Sequence, residues 1–206
     1  MKRFDQNFRA ALREAVEEVE KVSGVEVVAT IMPRVHRYWL PNMIVGATLA
    51  FLVLTLLMFI HIEYWYVLIY LETLAAFGLG FLLLNGFPSL KRRILGKKYL
   101  EEQVELRARA LFQQAGIVET RERVGTLLVF SWFERHAVII RDTGAEEMVP
   151  PDEWEALEAK CRNVFSNDDP AKAIVNVLKE SKECFRTYIP RSANDVNELP
   201  DELWLQ

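Results

Sequence analysis

The chain has 206 residues, enough for one ordinary domain with something added and too few for two full-sized domains joined by a linker. It is 51% hydrophobic and 26% charged, yet between Leu40 and Leu90 the only formally charged side chains are Glu63 and Glu72, an uneven spread that no soluble core requires. The net charge of −4 sums a basic middle and an acidic C-terminal third, which argues against a nucleic-acid partner, and two cysteines exclude a disulfide framework or a Cys/His zinc site.

Apolar residues at Phe8, Leu12, Ala15, Val16, Val19 and Val22 recur at helical spacing and predict an amphipathic helix from Asp5, as cap, to a stop at Ser23-Gly24. Val25 to Met32 is β-branched and apolar with Glu26 as its one charge, which suits a strand covered on both faces and ended by Pro33. Met43 to Ile62 is then an uncharged run of the length that crosses a hydrocarbon layer of roughly 30 Å as a helix, with Pro41, Tyr38 and Trp39 at its entrance. A second span is predicted from about Tyr64 to Leu84, stopping at Asn85-Gly86-Phe87-Pro88. The short link near Glu63 makes the two spans antiparallel, because a few residues cannot recross a bilayer.

Basic residues set the expected orientation. Arg34 and Arg37 precede the first span, Lys91, Arg92, Arg93, Lys97 and Lys98 follow the second, and the tip of the hairpin has none. The positive-inside rule then puts the soluble parts and both termini on the cytoplasmic side of a cell inner membrane, with the basic stretch against anionic lipid headgroups and Tyr64, Trp65 and Tyr66 at the far interface. Glu72 would lie about two helical turns into the bilayer from that interface. It has two readings: a partly hydrated or protonated carboxylate packed against another subunit's polar group, or a member of a relay, for which these spans offer only Thr48, Thr55, His61 and Thr73.

After the hairpin, Leu100, Val104, Ala108, Leu111, Phe112 and Ala115 form a second helical stripe closed by Gly116. Gly125 to Phe133 and Ala137 to Arg141, separated by Glu134-Arg135-His136, read as a β-hairpin. Pro151-Asp152 opens a helix with Trp154, Leu157, Cys161, Val164 and Phe165 inward, and Asp169-Pro170 opens another with Ile174, Val177, Leu178, Ser181 and Phe185 inward. The tail after Pro190 is polar and expected to be irregular. A lone apolar strand before the spans cannot satisfy its own backbone, so it must pair with the strands after them. The expected fold class is therefore α+β, a mixed sheet covered by helices, interrupted by a two-helix transmembrane hairpin. Its expected parts are a first soluble segment at 1–37, the hairpin at 38–90, a second soluble segment at 91–190 and a tail at 191–206.

Four stretches together resemble the TPM family, a domain of thylakoid-lumen, bacterial and animal membrane proteins described as acid phosphatases or as photosystem or receptor accessory factors. They are the opening helix into Ser23-Gly24-Val25-Glu26-Val27-Val28; Ala110-Leu111-Phe112 with Thr120-Arg121-Glu122-Arg123-Val124-Gly125-Thr126-Leu127-Leu128-Val129-Phe130; Glu134-Arg135-His136-Ala137-Val138-Ile139-Ile140-Arg141-Asp142-Thr143-Gly144; and Val149 with Trp154. The resemblance implies a helix-covered mixed sheet of α/β/α type and places Asp142 at the family's acidic position. The chain departs from the family in that a hairpin interrupts the domain and the basic residues place the domain on the cytoplasmic side, whereas family members are commonly exported across a membrane.

The chain has no P-loop, GxGxxG, HExxH, DxDx(T/V) or Cys-x5-Arg motif, and Arg135-His136-Ala137 lacks the glycine of a histidine-phosphatase start. Cys161 and Cys184 lie on inward helical stripes, and His36, His61 and His136 stand apart in sequence. Carboxylates remain: Asp142 at a strand end, Glu146 and Glu147 just after it, and Glu26. Such oxygens either hold a Mg²⁺ or Ca²⁺ ion, which needs several donors at about 2.0–2.6 Å, or cap a turn and face solvent. The reading this supports is an accessory, assembly or stabilising subunit of an integral membrane protein complex with no required cofactor. The alternative is a divalent-metal-assisted phosphatase around Asp142, and a small membrane sensor or transporter fragment built on Glu72 is a third.

Overall fold

A computed structural model of the chain describes residues 6–59, 65–120 and 122–191. The proposed cap Asp5, the hairpin tip with His61, Glu63 and Tyr64, Arg121, and the tail beyond Arg191 lie outside the described residues. The chain divides into two compact units, one made of Met1–Val35 with Glu101–Gln206 and the other of His36–Leu100.

The first unit is built on three strands, β1 (Glu26–Met32), β2 (Gly125–Ser131) and β3 (His136–Arg141), in the order β1-β2-β3. β1 and β2 are parallel, with Glu26 opposite Gly125 and Met32 opposite Ser131, while β2 and β3 are antiparallel, with Thr126 opposite Arg141 and Ser131 opposite His136. Parallel neighbours need a crossover, and here the crossover contains the whole second unit. All seven residues of β1 and of β2 are buried, which their unbroken β-branched and apolar sequence requires.

Helices cover both faces of the sheet. On one side α1 (Gln6–Glu20), α7 (Pro151–Asn163) and α8 (Pro170–Tyr188) bury Leu12, Val19, Trp154, Leu157, Leu178 and Phe185 against Val27, Ala29, Ile31, Leu128 and Phe130. On the other, α5 (Lys97–Gln114) buries Val104, Ala108, Leu111 and Phe112 against Val28, Met32, Leu127 and Val129. The alternation of odd and even strand residues between the two cores is the period-two signature of a strand. Helix starts follow the chemistry of their first residues: Asp169 accepts from the Lys172 N–H at 3.4 Å ahead of Pro170, and Pro151 opens α7.

The second strand is shorter and the third longer than the sequence led us to expect. Trp132 N–H and Phe133 N–H donate to the carbonyls of Met32 and Pro33, so these residues follow β1 and leave β3. The turn is closed by Arg135 in the left-handed region at φ 52°, which returns His136 to the sheet as the first residue of β3. Two further helices, α4 (Pro88–Leu95) and α6 (Thr143–Met148), occupy stretches expected to be a helix stop with a basic run and an acidic loop. Pro88 serves as the first residue of α4 rather than as the end of the preceding helix.

The second unit is dominated by α2 (Leu40–Phe59) and α3 (Tyr66–Leu83). Asn42 Nδ2 donates to the Phe81 carbonyl at 2.8 Å and to Asn85 Oδ1 at 2.9 Å, and Gly46 lies beside Phe77 and Gly80, so the two helices run antiparallel. A Cβ on Gly80 would stand 2.9 Å from Gly46 Cα, which leaves the backbones in contact at that level.

Candidate functional site

Asp142 and Glu146 lie at the end of the sheet where β3 runs into α6. Arg123 holds a left-handed φ of 57°, which turns its carbonyl to accept from Gly144 N–H at 2.9 Å and Ala145 N–H at 3.2 Å. Gly144 is required there by space, since a Cβ would lie 2.2 Å from the Glu122 carbonyl oxygen. Asp142, 3% exposed, is the N-cap of α6: its Oδ1 accepts from Thr143 N–H at 2.7 Å and its Oδ2 accepts from Arg123 Nε at 2.8 Å. The hydrogen bond to Asp142 is the main cause of an upward shift in the Arg123 pKa, opposed by some desolvation.

Glu146 sits in the first turn of α6 with its side chain 60% exposed, 3.7 Å from Arg141 Nε. Glu26 is buried at the start of β1 in the transverse row that runs through Gly125 to Asp142, two strands and thus about 10 Å of backbone away. Among the described residues no three His, Cys, Asp or Glu side chains converge as a ligand set. The donors at Asp142 do not fit a cation as they stand, because both carboxylate oxygens are already engaged and one faces a guanidinium. Arg123 was not singled out by sequence reasoning. Nothing in the polar run before β2 distinguishes the one arginine whose backbone turns left-handed.

Cys161 is buried in the sheet–helix core, and burial, with the Glu158 charge second, pushes its thiol pKa up to about 12. Cys184 is half-buried and shifted upward for the same leading reason. Neither has the electropositive, accessible setting of a nucleophilic thiol.

In the second unit the polar residues separate into two groups. The Thr48, Thr55 and Thr73 hydroxyls each donate to the carbonyl four residues earlier, at 2.8 Å, which satisfies them within their own helix. Glu72 is exposed on α3, one turn before the buried Ala76 and at the flank of the face packed through Ala76 and Gly80. Of the basic residues expected at a membrane surface, Arg34, Arg37, Arg93, Lys97 and Lys98 are exposed and Arg92 is half-exposed. Lys91 is buried, at 7% exposure, because it falls on the inward side of α4.

Residues 94–184 match the sequence profile of the TPM domain. Over this stretch the chain is similar to the TPM domain. The match begins at the end of α4 and ends inside α8, so it omits α1 and β1, which the fold nevertheless joins to the TPM domain by pairing β1 with β2. Among solved structures, BA42 from the psychrophilic bacterium Bizionia argentinensis, determined by NMR, aligns with a TM-score of 0.60 over 98% of this chain and 94% of its own, at 14% identity. That likeness establishes the fold alone. No curated protein matches the chain.

Next to the TPM domain sequence, α2 and the stretch Tyr66–Gly86 have mean hydropathies of 2.2 and 2.1, long and apolar enough to cross a membrane. Only 17% of each apolar window is buried, whereas a soluble core helix of this composition would be mostly covered. Phe51, Phe59, Leu71 and Leu82 are among the large side chains left open, which points to association with a membrane.

Proposed function

We propose that this protein is a membrane-anchored accessory subunit whose TPM domain stands on the cytoplasmic face and whose hairpin docks against a larger integral membrane protein complex. The observation that carries the reading is Glu72. It lies six residues beyond Tyr66, about 9 Å along α3, and is exposed with Leu68, Ala75 and Leu79 on the same helical face. A carboxylate facing lipid at that depth costs a few kcal/mol on insertion scales. The Thr48, Thr55 and Thr73 hydroxyls are turned back onto their own helices, and in this reading the group that relieves the cost comes from another chain, as an intramembrane hydrogen-bond donor or cation.

The rest of the second unit supports the same arrangement. Trp65 and Tyr66, 78% and 89% exposed, suit a headgroup interface at the start of α3. At the other end, Leu90 and Ile94 are exposed on α4, which also carries Arg92 and Arg93 and is preceded by the exposed Phe87, the composition of a short interfacial helix on an anionic leaflet. The basic residues flank this end, which by the positive-inside rule is cytoplasmic.

The test is purification of the tagged protein, at its native level and in several mild detergents, with its Glu72→Leu and Glu72→Gln variants. The wild type is expected to travel with an integral membrane partner, Glu72→Leu to lose it, and Glu72→Gln to retain it in part through hydrogen bonding. Recovery of the wild type as a free monomer in every detergent overturns the reading.

A further inference from the structure

Leu68, Glu72, Ala75, Leu79 and Leu82 recur along α3 at alternating intervals of four and three residues, and all five are exposed. This is the spacing of the a and d positions in a left-handed helix pair, the usual hand of packing between membrane spans, and it is sustained over about 21 Å of helix. It is not the face that meets α2. That face runs through the buried Ala76 and Gly80, and Gly80 abuts Gly46. One face of α3 is therefore filled from within the chain, while a second, with the pattern of a helix seam, is left open among the described residues.

Glu72 is the one polar residue of this seam and falls at an a position, where a lone polar side chain fixes the register and number of paired helices. Intramembrane carboxylates pair with one another or with some other polar group. Copies of one chain insert in the same sense, so α3 of one copy meets α3 of another in parallel, and a two-fold axis along the bilayer normal sets each seam residue opposite its own counterpart at equal depth. Glu72 then faces Glu72 of the second copy. Two carboxyl groups in contact do not both ionise; with one proton between them, the O–H of one donates to an oxygen of the other, and no third residue is needed. A partner of unlike sequence must supply both a matching seam and a donor at this depth, whereas a second copy has both by symmetry. Ala75, one turn from Glu72, gives the two backbones room to close, and Leu68 and Leu79 on either side shield the pair from lipid.

We propose that α3 pairs with α3 of a second copy of the chain along this seam, in parallel, with the two Glu72 carboxyl groups sharing one proton at its centre. The proposal rests on the reading of Glu72 as a docking residue and names the chain that docks there.

The test is disulfide cross-linking in native membranes, using the full chain with Cys161 and Cys184 changed to alanine and single cysteines at Leu68, Ala75, Leu79 or Leu82. Tyr70 and Leu74, exposed on other sides of α3, serve as control positions. Two differently tagged copies are expressed together at native level, oxidised with copper phenanthroline and read as a covalent dimer carrying both tags. The seam positions are expected to cross-link roughly fivefold or more above the controls. Adding Glu72→Leu should remove that excess, and Glu72→Gln should keep most of it, because two amides hydrogen-bond to each other. Cross-linking that is uniform around the helix, absent at the seam or indifferent to Glu72→Leu overturns the pairing. If an unlike integral membrane protein nevertheless co-purifies in a Glu72-dependent way, docking through Glu72 stands and the second copy is ruled out as its partner. Seam cross-links in a chain recovered only as a homodimer uphold the pairing and overturn the accessory-subunit reading instead.

Discussion

Asp142 is held by two contacts that substitution can remove one at a time. Asp142→Asn keeps an oxygen for the Thr143 N–H and loses the charge facing Arg123, whose side chain is 48% exposed and screened by solvent; the expected loss is about 1 kcal/mol. Asp142→Ala also removes the cap of α6, for a total of about 2–3 kcal/mol, and urea unfolding of the two variants in micelles checks the order. Cys161 makes a different prediction. Its folded pKa, about 12, lies above the ordinary value of 9.0, so the folded state keeps a proton that the unfolded chain releases. The resulting stability is complete below about pH 9 and is lost toward pH 12 at up to about 1.4 kcal/mol per pH unit. Cys184 and Tyr188 are shifted in the same direction, so the urea midpoint of the wild type should fall above pH 9 and that of Cys161→Ala should fall less steeply from its lower starting value. At this scale the sequence was half legible. A strand-end aspartate followed by Thr-Gly announces a cap or a ligand, but the arginine that occupies its second oxygen depends on a backbone dihedral angle that no residue type reveals.

Among the elements, the hairpin is where side-chain size decides most. Of the small residues Ala75, Ala76, Gly78, Gly80 and Gly86, Gly80 and Ala76 are buried, whereas nothing lies within 4 Å of a Cβ built on Gly78 or Gly86. The partner of Gly80 is Gly46, which a count of glycines in the second span alone could not find. Gly80→Leu is expected to separate α2 from α3 and to abolish a disulfide engineered between Asn42→Cys and Asn85→Cys, while Gly78→Leu should leave that cross-link intact in a gel-shift assay. The six residues of α6 escaped notice because a helix shorter than two turns shows no apolar period, and α4 because its lysine and arginines read as a charge run rather than as one face. β1 and the long helices were readable because burial on both faces, or on one stripe, leaves a compositional trace over many residues.

For the whole molecule, the need of an isolated apolar strand for a neighbour was enough to anticipate that a sheet joins the pieces on either side of the spans, and the parallel β1–β2 pair is that sheet. Strand order and direction were not readable, because pairing partners leave no mark in the pattern of either strand. The proposed sidedness has a direct check: a cysteine placed at the exposed Lys172, in a chain whose own cysteines are changed to alanine, should react with a membrane-impermeant maleimide only after the cells are opened. Reaction in intact cells would invert the topology. The parallel pairing also imposes an order on biosynthesis. β1 leaves the ribosome roughly 90 residues before β2, a delay of about 5–20 s at ordinary rates of translation, and throughout it an aggregation-prone segment has no mate. Nascent chains are thus most vulnerable while the hydrophobic pair is being handed to the insertion machinery. A cell with impaired insertion should lose this protein to proteolysis before β2 has been translated at all.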